Sequence, residues 1–285
     1  MRGSPRTRLL FSGKSTGLGK GEGYTEILFF LTALLACVIG KICGMGGGVI
    51  IKPVLDSCGI LSVTAINLLS GCTVIGMSAW SVGKTFVKKE RAIDIRSATP
   101  LAVGAAAGGI AGKILFSAVA QQFAHPDRAG GVQAMLLLAA TAVTLVYTIK
   151  KDGLRSFRVK NPAIIVVIGC VLGLLGSFLG IGGGPFNMAV LFLFFSMTTK
   201  TATQNSLYVI LISQIAGLLW TVIRGNVPPV SALLLAGMVF FGILGSEIGG
   251  RIHARISERS NTRLFEAAMA LVMLICVYNL RLLFK

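Results

Sequence analysis

Charge is what this chain has least of. Only 13% of its 285 residues are Asp, Glu, Lys or Arg, where a soluble domain carries about a quarter. The charges it has avoid the long apolar runs, so a chain of soluble domains is excluded and lipid is the solvent for most of it. Histidine is nearly absent, with only His125 and His253, and the six cysteines (Cys37, Cys43, Cys58, Cys72, Cys170, Cys276) are scattered with no Cys-x-x-Cys pair. Clustered metal ligands are thereby excluded, and the cysteines read as small buried hydrophobes. Acidic residues number ten against 27 basic ones, giving a formal charge of +17. No soluble domain remains to carry a basic face, so nucleic acid is not an expected partner. Nor is a cofactor: the nucleotide-loop lookalike Gly13-Lys14-Ser15-Thr16 lacks its upstream glycine and follows no strand.

What is present is apolar length. Eight segments are long enough to span a bilayer as helices, at about 24–43, 61–83, 97–121, 131–149, 162–180, 201–223, 229–252 and 262–284. Residues 1–23 form a basic, Gly- and Ser-rich tail, and the apolar run after them is too long for the core of a signal peptide. Two shorter apolar pieces, 49–60 and 185–196, each follow a glycine cluster. At 1.5 Å per residue they reach only part-way across, which predicts re-entrant half-helices shielded by protein or facing a wet cavity. The fold class is therefore an all-α, multi-pass protein of the cell membrane.

The chain also resembles itself. Gly44-Met45-Gly46-Gly47-Gly48 returns as Gly180-Ile181-Gly182-Gly183-Gly184, Ala65-Ile66-Asn67 roughly as Ala202-Thr203-Gln204, and Gly108-x-x-x-Gly112 as Gly245-x-x-x-Gly249. Three features in one order at nearly one offset predict two homologous repeats, 24–150 and 162–285, joined by a basic linker at 151–161. Each repeat holds four spans and a half-helix. Four spans per repeat make the repeats parallel; a half-helix that crosses fully makes them inverted, and the pattern leaves both open. With eight spans, the tail (Arg2, Arg6, Arg8, Lys14, Lys20) shares a face with Lys84, Lys88, Lys89, Arg91 and Arg96, and with the linker's Lys150, Lys151, Arg155, Arg158 and Lys160. That face, with both termini, is expected to be cytoplasmic. Arg251, Arg255, Arg259 and Arg263 disagree, falling on the opposite face.

Glycine clusters ahead of half-helices have a chemical use. Backbone without a Cβ turns sharply, and the next helix start offers free N–H groups and the positive end of its dipole, a ready anion site. Two such clusters could converge on one ligand near the midplane. The candidate substrate residues are Gly44, Gly46, Gly47, Gly48, Gly180, Gly182, Gly183 and Gly184, joined by the polar groups Lys52, Asn67, Ser70, Asn187, Gln204, Asn205 and Ser206. Lys41 and Glu247 are weaker candidates, the first for substrate and the second for a coupling ion, since intramembrane charge needs a partner. Bland readings compete. Asp56 can pair with Lys52, and Arg251 with Glu247, one helical turn away. Gly104, Gly108, Gly112, Gly245 and Gly249 read as helix-packing positions.

The two glycine runs, with Pro53 after the first and Thr201-Ala202-Thr203-Gln204-Asn205-Ser206 after the second, resemble the TauE/SafE family of membrane anion exporters. The resemblance covers the chain beyond the tail. It implies a secondary transporter exporting sulfite, sulfoacetate or a similar organosulfonate. The first half departs from the pattern with Asn67-Leu68-Leu69-Ser70, which implies an asymmetric site. Uptake of a sulfur compound or another anion is the alternative within the class. A membrane-embedded enzyme lacks paired acids or a histidine cluster, and a structural subunit would pack its glycine runs shut. The expected partners are a small anion and the bilayer, with a homo-oligomer left open.

Overall fold

The computed structural model describes residues 20–88, 92–121, 126–150 and 156–283. The tail up to residue 19 with its Gly13-Lys14-Ser15-Thr16 stretch, His125, and the basic residues Lys89, Arg91, Lys151 and Arg155 lie outside the described residues. Those described form ten α-helices and no strand: α1 (Lys20–Cys43), α2 (Gly48–Cys58), α3 (Val63–Val87), α4 (Ile95–Gln121), α5 (Pro126–Lys150), α6 (Pro162–Phe178), α7 (Gly184–Phe195), α8 (Thr199–Ile223), α9 (Ala232–Arg255) and α10 (Glu258–Leu283). Seven of them, all but α2, α6 and α7, are long and apolar enough to cross a bilayer. Large apolar side chains such as Leu35, Val143, Val167, Leu219 and Leu274 stand exposed on the helices, as lipid-facing surface requires. The chain is a polytopic α-helical membrane protein.

Local chemistry sets the helix starts. Ser62, Asn161, Thr198 and Ser231 cap α3, α6, α8 and α9, each accepting a hydrogen bond from a backbone N–H two or three residues on. The ends of α1 and α6 are set by glycine. Gly44 and Gly46, and their counterparts Gly180 and Gly182, all sit at φ between 69° and 73°, a region costing other residues about 1–2 kcal/mol. After α6 the N–H groups of Ile181 and Gly182 both donate to Gly176 O, closing the helix end on itself. That closure holds α6 to 17 residues, short of the 162–180 expected.

Helix directions follow from their contacts. Gly237, Gly242 and Gly249 of α9 meet Phe30, Cys37 and Val38 of α1, while Thr73, Met77 and Lys84 of α3 meet Gly242, Ser246 and Glu247. So α1, α3 and α9 run the same way. Gly104, Gly108 and Gly112 of α4 meet Val166, Cys170 and Leu174 of α6, and Thr99 and Lys113 of α4 meet Tyr208 and Gly217 of α8. So α4, α6 and α8 share a direction, and it is opposite to that of α3, whose Gly71 and Thr85 face Gln214 and Gln204. The pairing of α1 with α9 and α3 with α9 in one sense matches that of α6 with α4 and α8 with α4 in the other.

These directions alter the span count. Helix α2 starts beside Ser70 and Val74, midway along α3, and ends next to the start of α3. Thus α1 and α2 form a hairpin that enters and leaves at one face. Helices α6 and α7 do the same from the other face, where Phe157 and Val159 ahead of α6 donate to Leu193 and Phe194 at the end of α7. Three crossings remain in each half, so the halves run inverted rather than parallel. The start of α1 therefore does not share a face with the end of α3 and the start of α6, in contrast to the eight-span count. Lys84, Lys88, Arg96, Lys150, Arg158, Lys160, Arg251, Arg255 and Arg259 now gather on one face, and the discordant α9–α10 arginines fall into line. The start of α1 and the end of α10 lie on the other face.

The glycines within α4 and α9 are packing positions. A Cβ at Gly108 would collide with Cys170 O, and one at Gly249 would lie 2.6 Å from Val38 O; small residues let membrane helices approach this closely. Gly108→Ala is expected to lower stability by about 1–3 kcal/mol through overpacking. Gly83→Ala in α3, where a Cβ meets nothing within 4 Å, should be neutral or stabilising by up to about 1 kcal/mol. Thermal melting of the two variants in detergent checks the pair.

Candidate functional site

The antiparallel helices α3 and α8 touch at one end and part at the other. Where the end of α3 meets the start of α8, the seal is polar. Lys41 Nζ donates to Ser81 Oγ (2.5 Å) and Gln204 Oε1 (3.2 Å), and Thr85 Oγ1 donates to the same Gln204 oxygen (3.4 Å). Towards the face where α1 starts and α10 ends, α3 and α8 separate around a cavity of about 570 Å³. Helix α4 closes its side, and Gly180 and Gly182 of the second glycine break form its deep end.

The cavity wall is amphipathic and one-signed. Its polar groups include Lys113, Arg224, Asn67, Gln214, Ser117 and Ser177. No Asp or Glu is among the described residues that line it. Lys113, on the face of α4 opposite α8, donates to Gly217 O (2.6 Å) and Thr221 Oγ1 (2.9 Å). An ammonium has three donors, so one is left for a ligand. Arg224 stands at the mouth with its guanidinium 4.7 Å from the centre of the Trp220 ring, a cation–π contact. Gln214 packs directly against Gly182, where any side chain would collide with its amide.

Of the residues singled out from sequence, Asn67, Gly180 and Gly182 line this cavity. The two glycine breaks do come together: a Cβ on Gly184 would strike Met45 O, and one on Gly48 would lie 3.4 Å from Ile181 O. They meet back to back, however, and not across a shared pocket. The first break is packed shut, with Gly44 against Thr203 and Met188, Gly46 against Ile210 and Val74, Gly47 against Cys37, and Gly48 against Ser70. At the second break the amides of Gly180, Ile181 and Gly182 are spent on α6 carbonyls, so side chains carry the polar lining. Gly183 packs on the Asn187 amide, and Asn187 is buried.

The other polar candidates hold structure together. Ser206 Oγ donates to Gly44 O (2.6 Å), tying α8 to the first break. Asn205 accepts from Asp94 N and donates to Ala92 O and Thr201 O, fixing the connection into α4. Lys52 does not bond to Asp56: its Nζ donates to Leu179 O (3.0 Å) and Gln133 Oε1 (2.5 Å), while Gln133 donates to Phe178 O (2.6 Å). A cation at the last carbonyls of α6 suits the negative end of the helix dipole. Glu247 takes Lys84 (2.6 Å), Arg251 (3.0 Å) and Trp80 (3.0 Å), locking α3 to α9.

Sequence reasoning missed Lys113, Gln214 and Arg224. The signal was there for the first, because a lone lysine amid a membrane helix is a functional candidate by default. It was masked by the Gly108-x-x-x-Gly112 packing pattern just ahead of it. Gln214 was one polar residue in a long apolar run, and only the splaying of α3 from α8 gives it a role.

Among curated proteins, the chain is similar to the "Probable membrane transporter protein YunE" of Bacillus subtilis (strain 168), at 24% identity over 269 residues, covering 87% of this chain and 94% of the relative. No solved structure matches it. The family model described as "Sulfite exporter TauE/SafE" matches residues 29–278, from α1 to the last turns of α10. A match of that extent, on a fold of inverted hairpins and crossings around a membrane-embedded cavity, makes the chain a member of the TauE/SafE family of membrane transporters.

Proposed function

We propose that the chain is a secondary transporter that exports a small sulfur-containing oxyanion (sulfite, sulfoacetate or a similar organosulfonate) by alternating access. The observation that carries this reading is the cavity: Lys113 and two amides along its wall and Arg224 at its mouth, with no acid among the described lining residues. Such a lining attracts an anion and repels a cation, more strongly than in water because the walls exclude solvent. An inside-negative potential drives each anionic charge outward by about 2.3 kcal/mol per 100 mV, so export needs no nucleotide. The family match and the relative's name support the transporter class.

Orientation follows from the basic face. The positive-inside rule places the face carrying Lys88, Lys150, Arg158, Lys160, Arg255 and Arg259 in the cytoplasm. The start of α1, the end of α10 and the cavity mouth then lie outside, where an eight-span count had put α1's start on the cytoplasmic side. Half-buried Cys72 lines the cavity and reports on this. In intact cells an impermeant maleimide is expected to label Cys72, and sulfoacetate to protect it. Labelling only after the cytoplasmic face is exposed reverses the orientation.

The deciding experiment is flux of labelled sulfite, sulfoacetate and sulfate in proteoliposomes under an imposed potential. Movement of the first two that follows the potential is expected. If none moves in either direction through folded protein, the substrate assignment fails.

A further inference from the structure

Asn67 lines the cavity, yet its Oδ1 is buried and has no hydrogen-bond partner. A buried acceptor left unmade costs free energy unless something else holds it. What faces it is Lys52. A Cβ on Gly180 would lie 2.5 Å from Asn67 Oδ1 and 2.5 Å from Lys52 Nζ, so the two atoms lie within about 5 Å of each other, across the space that glycine leaves vacant. Lys52 is 3% exposed and lies outside the lining of the cavity. Its ammonium, fixed on Leu179 O and Gln133, favours the carbonyl end of the Asn67 amide and disfavours the NH₂ end. With Oδ1 turned to the cation, Nδ2 is the end left to face the cavity.

We infer that Lys52 is a positioning residue of the transport site: acting across the gap at Gly180, it orients the Asn67 amide so that Nδ2 donates to the anion. This rests on the anion-site reading above. It explains why a buried lysine and a glycine at φ 71° meet at the cavity floor. A flipped amide would present a carbonyl to the anion and an NH₂ group to the ammonium, unfavourable at both ends. The inference also separates two residues that the sequence placed in one class: Asn67 touches the substrate, and Lys52 acts only through Asn67.

The test is a double-mutant cycle read by sulfoacetate and sulfite binding to purified protein in detergent, with melting temperature measured alongside. Lys52→Gln and Asn67→Ala are each expected to weaken binding about tenfold, the scale of one hydrogen bond to a charged ligand. Together they should weaken it little more than either alone, because both remove the same donor. Gly180→Ala, which fills the gap, should weaken binding in the wild-type background and have little further effect on affinity with Asn67 already replaced. Additive losses from Lys52→Gln and Asn67→Ala would make Lys52 an independent long-range charge and overturn the inference. So would a Lys52→Gln protein that melts lower but binds at wild-type affinity, the mark of a purely structural lysine. If Lys52→Gln does not fold, Gly180→Ala against Asn67→Ala decides by the same non-additivity. Wild-type protein that binds neither anion removes the site itself, an outcome distinct from additivity.

Discussion

Lys113→Met is expected to give a protein that folds as well as the wild type and no longer moves anions. Methionine keeps the length and loses the charge. The bonds it gives up, to Gly217 O and Thr221 Oγ1, leave acceptors that α8 already supports in part, since Thr221 Oγ1 also donates to Gly217 O (2.9 Å). A lysine within a membrane helix is costly unless a partner or a wet cavity receives it, so replacing it should not lower the melting temperature. The ligand loses a charge-assisted bond worth about 1.5–3 kcal/mol, a weakening of about 10- to 150-fold. Lys113→Arg keeps the charge but crowds Gly217, where a Cβ would already lie 3.1 Å from Lys113 Cε, and is expected to fall between. Arg224→Gln, at the solvated mouth, should change affinity little and mainly reduce the salt dependence of uptake into the cavity. Binding, flux and melting measured on the three variants check the ranking. Wild-type flux in Lys113→Met would mean that the anion does not pass this cavity.

How much of this could be read in the sequence depends on the range of the interaction. The glycine breaks were legible because four glycines in five residues act locally: positive φ at Gly44, Gly46, Gly180 and Gly182 ends a helix whatever surrounds it. The short helices α2 and α7 followed from their length between a break and the next cap. Packing at Gly108, Gly112, Gly245 and Gly249 was legible for the same reason, since small residues at that spacing have one common use in lipid. Helix direction was not legible. Whether α2 carries the chain across or back depends on which helix Gly48 packs against, and Ser70 and Val74 lie in another element. That one contact decides the face of every later loop. The anion site expected at the paired glycine runs does not coincide with the basic cavity proposed to hold the substrate. Two similar glycine runs suggested a cradle converging on one ligand, whereas inversion opens the path at one end only, so one run lines the cavity while the other is closed by Met188, Val74 and Ile210. The roles of Lys52 and Asn205 depend on Leu179, Gln133, Ala92 and Asp94, contacts made across the fold.

The closed end should behave as the moving part. If α3 and α8 part at one end in this state, inverted halves make the partner state one in which they part at the other, where Lys41, Ser81, Thr85 and Gln204 now meet. Net hydrogen bonds of about 0.5–1.5 kcal/mol each suit such a gate: enough to hold it, and within the few kcal/mol that separate interconverting conformations. Thr85→Cys with Gln204→Cys, joined by a short bifunctional thiol reagent after exposed native cysteines are replaced, is expected to reduce flux to background. Sulfoacetate binding should survive in the locked protein, because the cavity lies at the opposite end of the same two helices. Loss of transport with retained binding is the signature of a gate and not of a damaged site. Flux that persists through the cross-link would mean that α3 and α8 never separate there, and the path to the basic face would then have to pass between other helices.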